Sequence, residues 1–317
     1  MIREVAVCLA LAGSALAQPL EVATLATPAP ARAFALAQTG KVAAAICEDQ
    51  KLRVWTLPEG RLEREIDLGD RIMYASAFAI SHDGAWIAAG DYNGLLTVWN
   101  ASTGAVQMEA KHQYYSIKLV FSSDGSRLAF APSGEPVQIH DVATGRKLLE
   151  LERTVGGSQA MAFSRDGGRI ATTDSDTVVR IYNASNGELL ARHADFLLEP
   201  LAAAFSADGK RLLAAGGDKV IVTLDASTGN VVRKSAKLVD PVAYLEVSLD
   251  GSLAAAGLMH ADNLLMPAPL LITETSSGRE VQEWTPPSLV LGGGWTSDGH
   301  LVAATGTEEG LQLWRVR

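Results

Sequence analysis

Ser122-Ser123-Asp124-Gly125, Ser164-Arg165-Asp166-Gly167, Ser206-Ala207-Asp208-Gly209 and Ser248-Leu249-Asp250-Gly251 repeat one four-residue pattern, with successive glycines at a constant interval. Working outward, Ser81-His82-Asp83-Gly84 precedes the first of these by almost the same interval, and Thr296-Ser297-Asp298-Gly299 follows the last by a somewhat longer one. A worn copy upstream, Ala37-Gln38-Thr39-Gly40, brings the units to seven. Glycine accepts positive φ freely and aspartate tolerates it better than most residues, so each Asp-Gly pair reads as a tight two-residue hairpin turn.

Four positions before its glycine, every unit carries an apolar residue: Leu36, Ile80, Phe121, Phe163, Phe205, Val247 and Trp295. A second glycine turn follows at a regular offset, as in Ser102-Thr103-Gly104, Ala143-Thr144-Gly145 and Ser227-Thr228-Gly229. Between the two turns lie an alanine-rich strand, such as residues 211–215, and a β-branched strand, such as residues 178–182. No stretch competes as a helix. The period fits four short strands per unit, each unit burying its faces against its neighbours. The expected fold is all-β: a seven-bladed β-propeller with four antiparallel strands per blade.

The third strands end in Val54-Trp55, Val98-Trp99, Ile139-His140, Ile181-Tyr182 and Leu313-Trp314. This resembles the WD-repeat signature, and the resemblance covers residues 20–317 in the manner of an exported, degenerate bacterial member. Leu224 and Thr273 stand where the aromatic would be, and no Gly-His pair opens a unit. His112, by its offset ahead of Gly125, matches the family histidine in position. The resemblance implies that it is a structural strut, directed toward Glu135, and that the protein is a non-catalytic interaction module.

The last unit stops after its third strand, while residues 20–26 are strand-like and precede the first strand of unit one. The N-terminal strand is therefore expected to pair with residues 311–316, closing the ring and removing an exposed edge.

Residues 1–17 read as a secretory signal peptide, with Arg3, an apolar stretch from Val5 to Ala12, and a small-x-small cleavage site at Ala15-Leu16-Ala17. One domain, residues 18–317, would remain, periplasmic or secreted. Without Cys8 the mature chain keeps one cysteine, Cys47, which follows Ala43-Ala44-Ala45-Ile46 and reads as a small buried hydrophobe. No later stretch reaches the about 20 apolar residues of a membrane span. The formal net charge of −9 argues against nucleic acid and anionic membrane as partners.

In such a propeller both glycine turns lie on one face, and the remaining connections line the opposite face around a central channel. That second rim carries acids in its short hairpins (Glu48, Asp49, Asp91, Glu135, Asp174, Asp176, Asp218, Asp262, Glu308, Glu309). Turn chemistry alone accounts for many of them. The alternative is a mixed-charge surface for a protein or peptide, with Arg71, Tyr92, Tyr114, Arg153, His193 and His260 as contacts, because binding hot spots favour Tyr and Arg. Tyr74, Tyr115 and Phe196 are further aromatic residues near this rim, serving as anchors or as packing.

Unit six breaks the pattern with a long segment, residues 257–269, whose methionines, leucines and prolines suit an apolar cover over the channel mouth; a metal at His260 and Asp262 lacks a third ligand. No Gly-x-Ser-x-Gly elbow, phosphate-binding glycine loop or paired-histidine motif is present. The expected function is a binding scaffold for a protein or peptide partner, monomeric and without cofactor. The alternative from another class is an exported propeller enzyme, such as a lactone hydrolase acting at the channel mouth. A quinone-dependent dehydrogenase would need a tryptophan-rich repeat that the sequence lacks.

Overall fold

The computed structural model describes residues 19–69, 75–113, 116–154, 156–260, 266–308 and 310–316. Among them there is no helix, and the strands form seven four-stranded antiparallel sheets. The sheets are blades around one axis. Each blade's first strand is innermost, and neighbouring inner strands touch in sequence order; the ring closes where Ala31–Leu36 of blade one meets Val290–Trp295 of blade seven. This is the seven-bladed β-propeller expected from the repeat.

Closure uses the N-terminal strand. Leu20–Ala26 runs antiparallel to Gly310–Arg315, from Leu20 opposite Arg315 to Ala26 opposite Gly310, and supplies blade seven with its outer strand. Leu25 is fully buried there, in a cluster with Phe34, Trp55, Leu311 and Leu313 that joins the first blade to the last.

The apolar core is a series of layers between adjacent blades. Phe205, the last residue of an inner strand, packs with Val179 and Ile181 of the preceding blade, and Trp99 packs with Val54 and Leu52 in the same way. Cys47 is buried as the sequence suggested, and desolvation pushes its thiol above the ordinary range.

The Ser-x-Asp-Gly turn differs from the expected two-residue hairpin. Only the glycine lies at positive φ, +80° at Gly84 and +67° at Gly167; the aspartates do not. Ser164 Oγ donates to Asp166 Oδ1 at 2.6 Å, Gly168 N–H donates to the same oxygen at 2.9 Å, and Arg169 N–H donates to Ser164 Oγ at 2.9 Å. Gly167 N–H closes the turn on the Ser164 carbonyl at 2.8 Å. The serine and aspartate are therefore kept for their oxygens, which hold a longer loop built on a single reversed turn. The same set recurs at Ser81 and Asp83, Ser122 and Asp124, Ser206 and Asp208, and Ser248 and Asp250. Asp166→Ala should cost about 1 kcal/mol and lower the melting temperature by about 2 °C, with Asp166→Asn, which keeps the acceptor, losing less. Calorimetry that found the two variants equal would assign the effect to something other than the acceptor.

Candidate functional site

Because strands alternate direction, the loops after the first and third strands of every blade share one face, and the other connections share the opposite rim. On that rim the hairpin acids are structural. Asp49 accepts from Arg53 Nη1 at 2.9 Å, and Arg53, 1% exposed, also donates to Glu65 through Nε at 3.0 Å. Blade four repeats the device: Arg180 donates to Asp174 at 2.8 Å and to Asp176 at 3.0 Å. Burial raises the Asp174 carboxyl above its ordinary value, while the Arg53 hydrogen bond lowers that of Asp49. Asp91 accepts from Leu95 N–H at 2.7 Å, and Asp218 accepts from the amides of Leu197 and Leu198 at 2.9 and 2.8 Å. These acids shape loops before they can meet a partner.

The expected contacts are scattered. Arg71 and Tyr114 lie outside the described residues, as do Tyr74, Tyr115, Asp262 and Glu309. Tyr92 is well exposed on the blade-two hairpin. Arg153 is exposed and donates to the Gly134 carbonyl at 2.8 Å. His193 is not a surface group: it is 7% exposed, with its ring edge-on to buried Phe196 at 5.6 Å, so both residues pack. His112 stands 3.6 Å from Glu135, the contact implied by the resemblance, with its ring tilted against Phe130. Desolvation lowers its pKa.

His260 is a brace. Its Nδ1 lies 2.9 Å from Asp240 Oδ2 and its Nε2 3.1 Å from the Pro267 carbonyl, which ties the blade-six loop to the connection before blade six. Lys219 continues the brace, donating to the Val239 carbonyl at 2.8 Å. What these polar groups hold outward is apolar. Leu197 is 87% exposed and Val239 73%, and Leu198, Met266 and Leu289 are also exposed on the same rim over blades five to seven. A signal existed in the sequence: paired leucines in the short connection between His193 and Pro200, where a surface loop is ordinarily polar.

The channel departs from the repeat in a matched way. Seven positions before the turn glycine stand Ala33, Ala77, Lys118, Ala160, Ala202, Tyr244 and Gly292; five before it stand Ala35, Ala79, Val120, Ala162, Ala204, Glu246 and Gly294. Blade six thus replaces two alanines by Tyr244 and Glu246, and blade seven replaces them by glycines. A Cβ on Gly294 would lie 3.1 Å from Glu246 Oε2, and one on Gly292 would lie 2.2 Å from the Phe34 carbonyl of blade one. The Tyr244 hydroxyl and the Trp295 backbone N–H both donate to Glu246 Oε2. Desolvation raises the Glu246 carboxyl to about 7 and holds the Tyr244 phenol well above its ordinary value.

The Tyr244 end of the channel opens into a cavity of about 400 Å³ whose wall is drawn from blades three, six and seven. Met259 and Met266 of the long blade-six segment line it. Among the described residues no group of three or more His, Cys, Asp or Glu side chains is arranged to hold a metal ion.

Comparison with known proteins bears on the same repeat. Residues 73–100, the inner, second and third strands of blade two, match the family model for the WD domain, G-beta repeat. The chain is also 33% identical over 111 residues to the WD repeat-containing protein SL1-17 of Schistosoma mansoni, covering 34% of this chain. The match takes in 35% of that relative, about a third of its length. The likeness to WD-repeat proteins thus covers one repeat by the family model and about a third of the chain by the relative, within described residues that form seven blades.

Proposed function

We propose that this protein is a non-catalytic, WD-repeat-type scaffold that binds a protein or peptide partner on the rim opposite the Asp-Gly turns, and that it works as an exported bacterial protein, periplasmic or secreted. The observation that carries the binding reading is the exposed arc of Leu197, Leu198, Val239, Met266 and Leu289. Large exposed apolar side chains on neighbouring loops of one rim suit a partner-binding surface. Asp218 and Lys219 hold the segments that carry Leu197, Leu198 and Val239, so little order has to be imposed there on binding. The export reading is supported by the composition of residues 1–17 and by a single cysteine beyond them.

The lactone hydrolase alternative is less well supported, because Glu246, an acid on the inner strand of blade six, is engaged by Tyr244 and Trp295. Cross-linking of the native exported fraction, followed by mass spectrometry, is the test. Leu197→Asp combined with Leu198→Asp should reduce partner recovery by about tenfold or more, since central apolar contacts carry most interface energy. Lys210→Ala, exposed on the opposite, Asp-Gly-turn face, should leave recovery near wild type. Undiminished recovery with the double variant would overturn this location. The N-terminal residue of the exported chain should be Gln18, and retention of residues 1–17 in the cytoplasmic fraction would refute export.

A further inference from the structure

We propose that the cavity bordered by blades six and seven is a binding site for a small apolar monocarboxylate, its carboxylate on Lys118 and its hydrocarbon body against Met259, Met266, Leu289 and Leu291. Lys118 is the one charged side chain in the wall among the described residues, and it reaches the cavity from blade three, across the axis. Its position is alanine in four blades, so the fold does not require a cation there. No described residue hydrogen-bonds or ion-pairs with it. Although its side chain opens to the lumen, surrounding protein desolvates the ammonium and lowers its pKa from the usual lysine value. Partly desolvated beside apolar walls and without a partner among the described residues, this ammonium is placed to pair with an anion that enters the cavity.

The chemistry of the wall selects the anion. A single ammonium, with no arginine fork, suits one carboxylate better than a phosphate, which favours several convergent donors. Tyr244, which also lines the cavity, has its hydroxyl committed to Glu246 and presents mainly its ring. Flexible methionine side chains let the wall follow hydrocarbons of different shape. A volume of about 400 Å³ lies within the roughly 300–1,000 Å³ of small-molecule sites.

Titration calorimetry of the full chain with octanoate, with octanol and octylamine as controls, tests the assignment. Octanoate should bind about tenfold more tightly than octanol, and octylamine more weakly than either, as a charged hydrogen bond predicts. Lys118→Met, which keeps the stem and removes the charge, should abolish the difference between octanoate and octanol. Octanoate should also raise the melting temperature of the wild-type protein more than octanol does, a readout independent of whether the variant folds. Equal affinities for octanoate and octanol, unchanged octanoate binding in Lys118→Met, or no binding at millimolar concentration would each overturn the proposal.

Discussion

Removing residues 19–26 should lower the melting temperature by about 10 °C or more and promote aggregation. The strand Leu20–Ala26 contributes the whole outer edge of blade seven, in register with Gly310–Arg315. Its loss strips the ladder hydrogen bonds from the last strand and vacates the site of Leu25, which is fully buried between the first and last blades. Emptying a buried leucine site alone costs about 2–5 kcal/mol, and a chain of this size loses about 2–4 °C per kcal/mol. The exposed edge then offers unpaired backbone groups to a second chain. Calorimetry and light scattering of the shortened chain would show this, and an unchanged, monodisperse melt would mean that the ring does not depend on this strand.

Glu246→Gln should stabilise the protein at pH 8 by about 3 kcal/mol and at pH 5 by less than about 1 kcal/mol. In the unfolded chain the carboxyl titrates near 4.5, and in the channel wall burial raises it to about 7. Between those values the folded protein holds a proton that the unfolded chain has released. Stability therefore falls as pH rises through that window, and the full penalty is present above pH 7. Glutamine is neutral throughout and matches the geometry: Tyr244 and Trp295 both donate to Oε2, so an amide NH₂ can take the place of Oε1. Denaturant melts between pH 5 and 8 should slope downward for wild type and run flatter for the variant. Parallel slopes would remove Glu246 as the source.

The repeat made the fold legible because hairpin turns need specific residues at specific positions, and those residues recur at nearly constant spacing. The same regularity revealed ring closure: a unit without its fourth strand and a strand without a unit imply each other. His112 and Cys47 were also readable, one from its offset to Gly125 and the other from its alanine-rich strand. The turn itself is not legible in this way, because Asp-Gly suggests a two-residue hairpin while the aspartate serves as an acceptor for Ser164 and Gly168 or their counterparts.

The site was far less legible. Asp49, Asp174 and Asp218 look alike in sequence, as surface acids beside glycine or polar residues, yet each is engaged by an arginine or by loop amides. His193 and His260 look equally available, but one packs on Phe196 and the other braces Asp240. Whether a loop side chain faces solvent, a neighbouring blade or the axis is set by contacts between units a full repeat or more apart, and a local pattern does not encode them. Lys118, Tyr244 and Glu246 left a trace as departures from alanine, with Gly292 and Gly294 following one blade later. By itself the sequence determined seven blades, their turns and the strand that closes them, because these follow from backbone chemistry repeated along the chain. Only the tertiary structure decided which rim residues are free and which channel residues meet across the axis, because curvature of the ring brings together side chains that the repeat keeps apart.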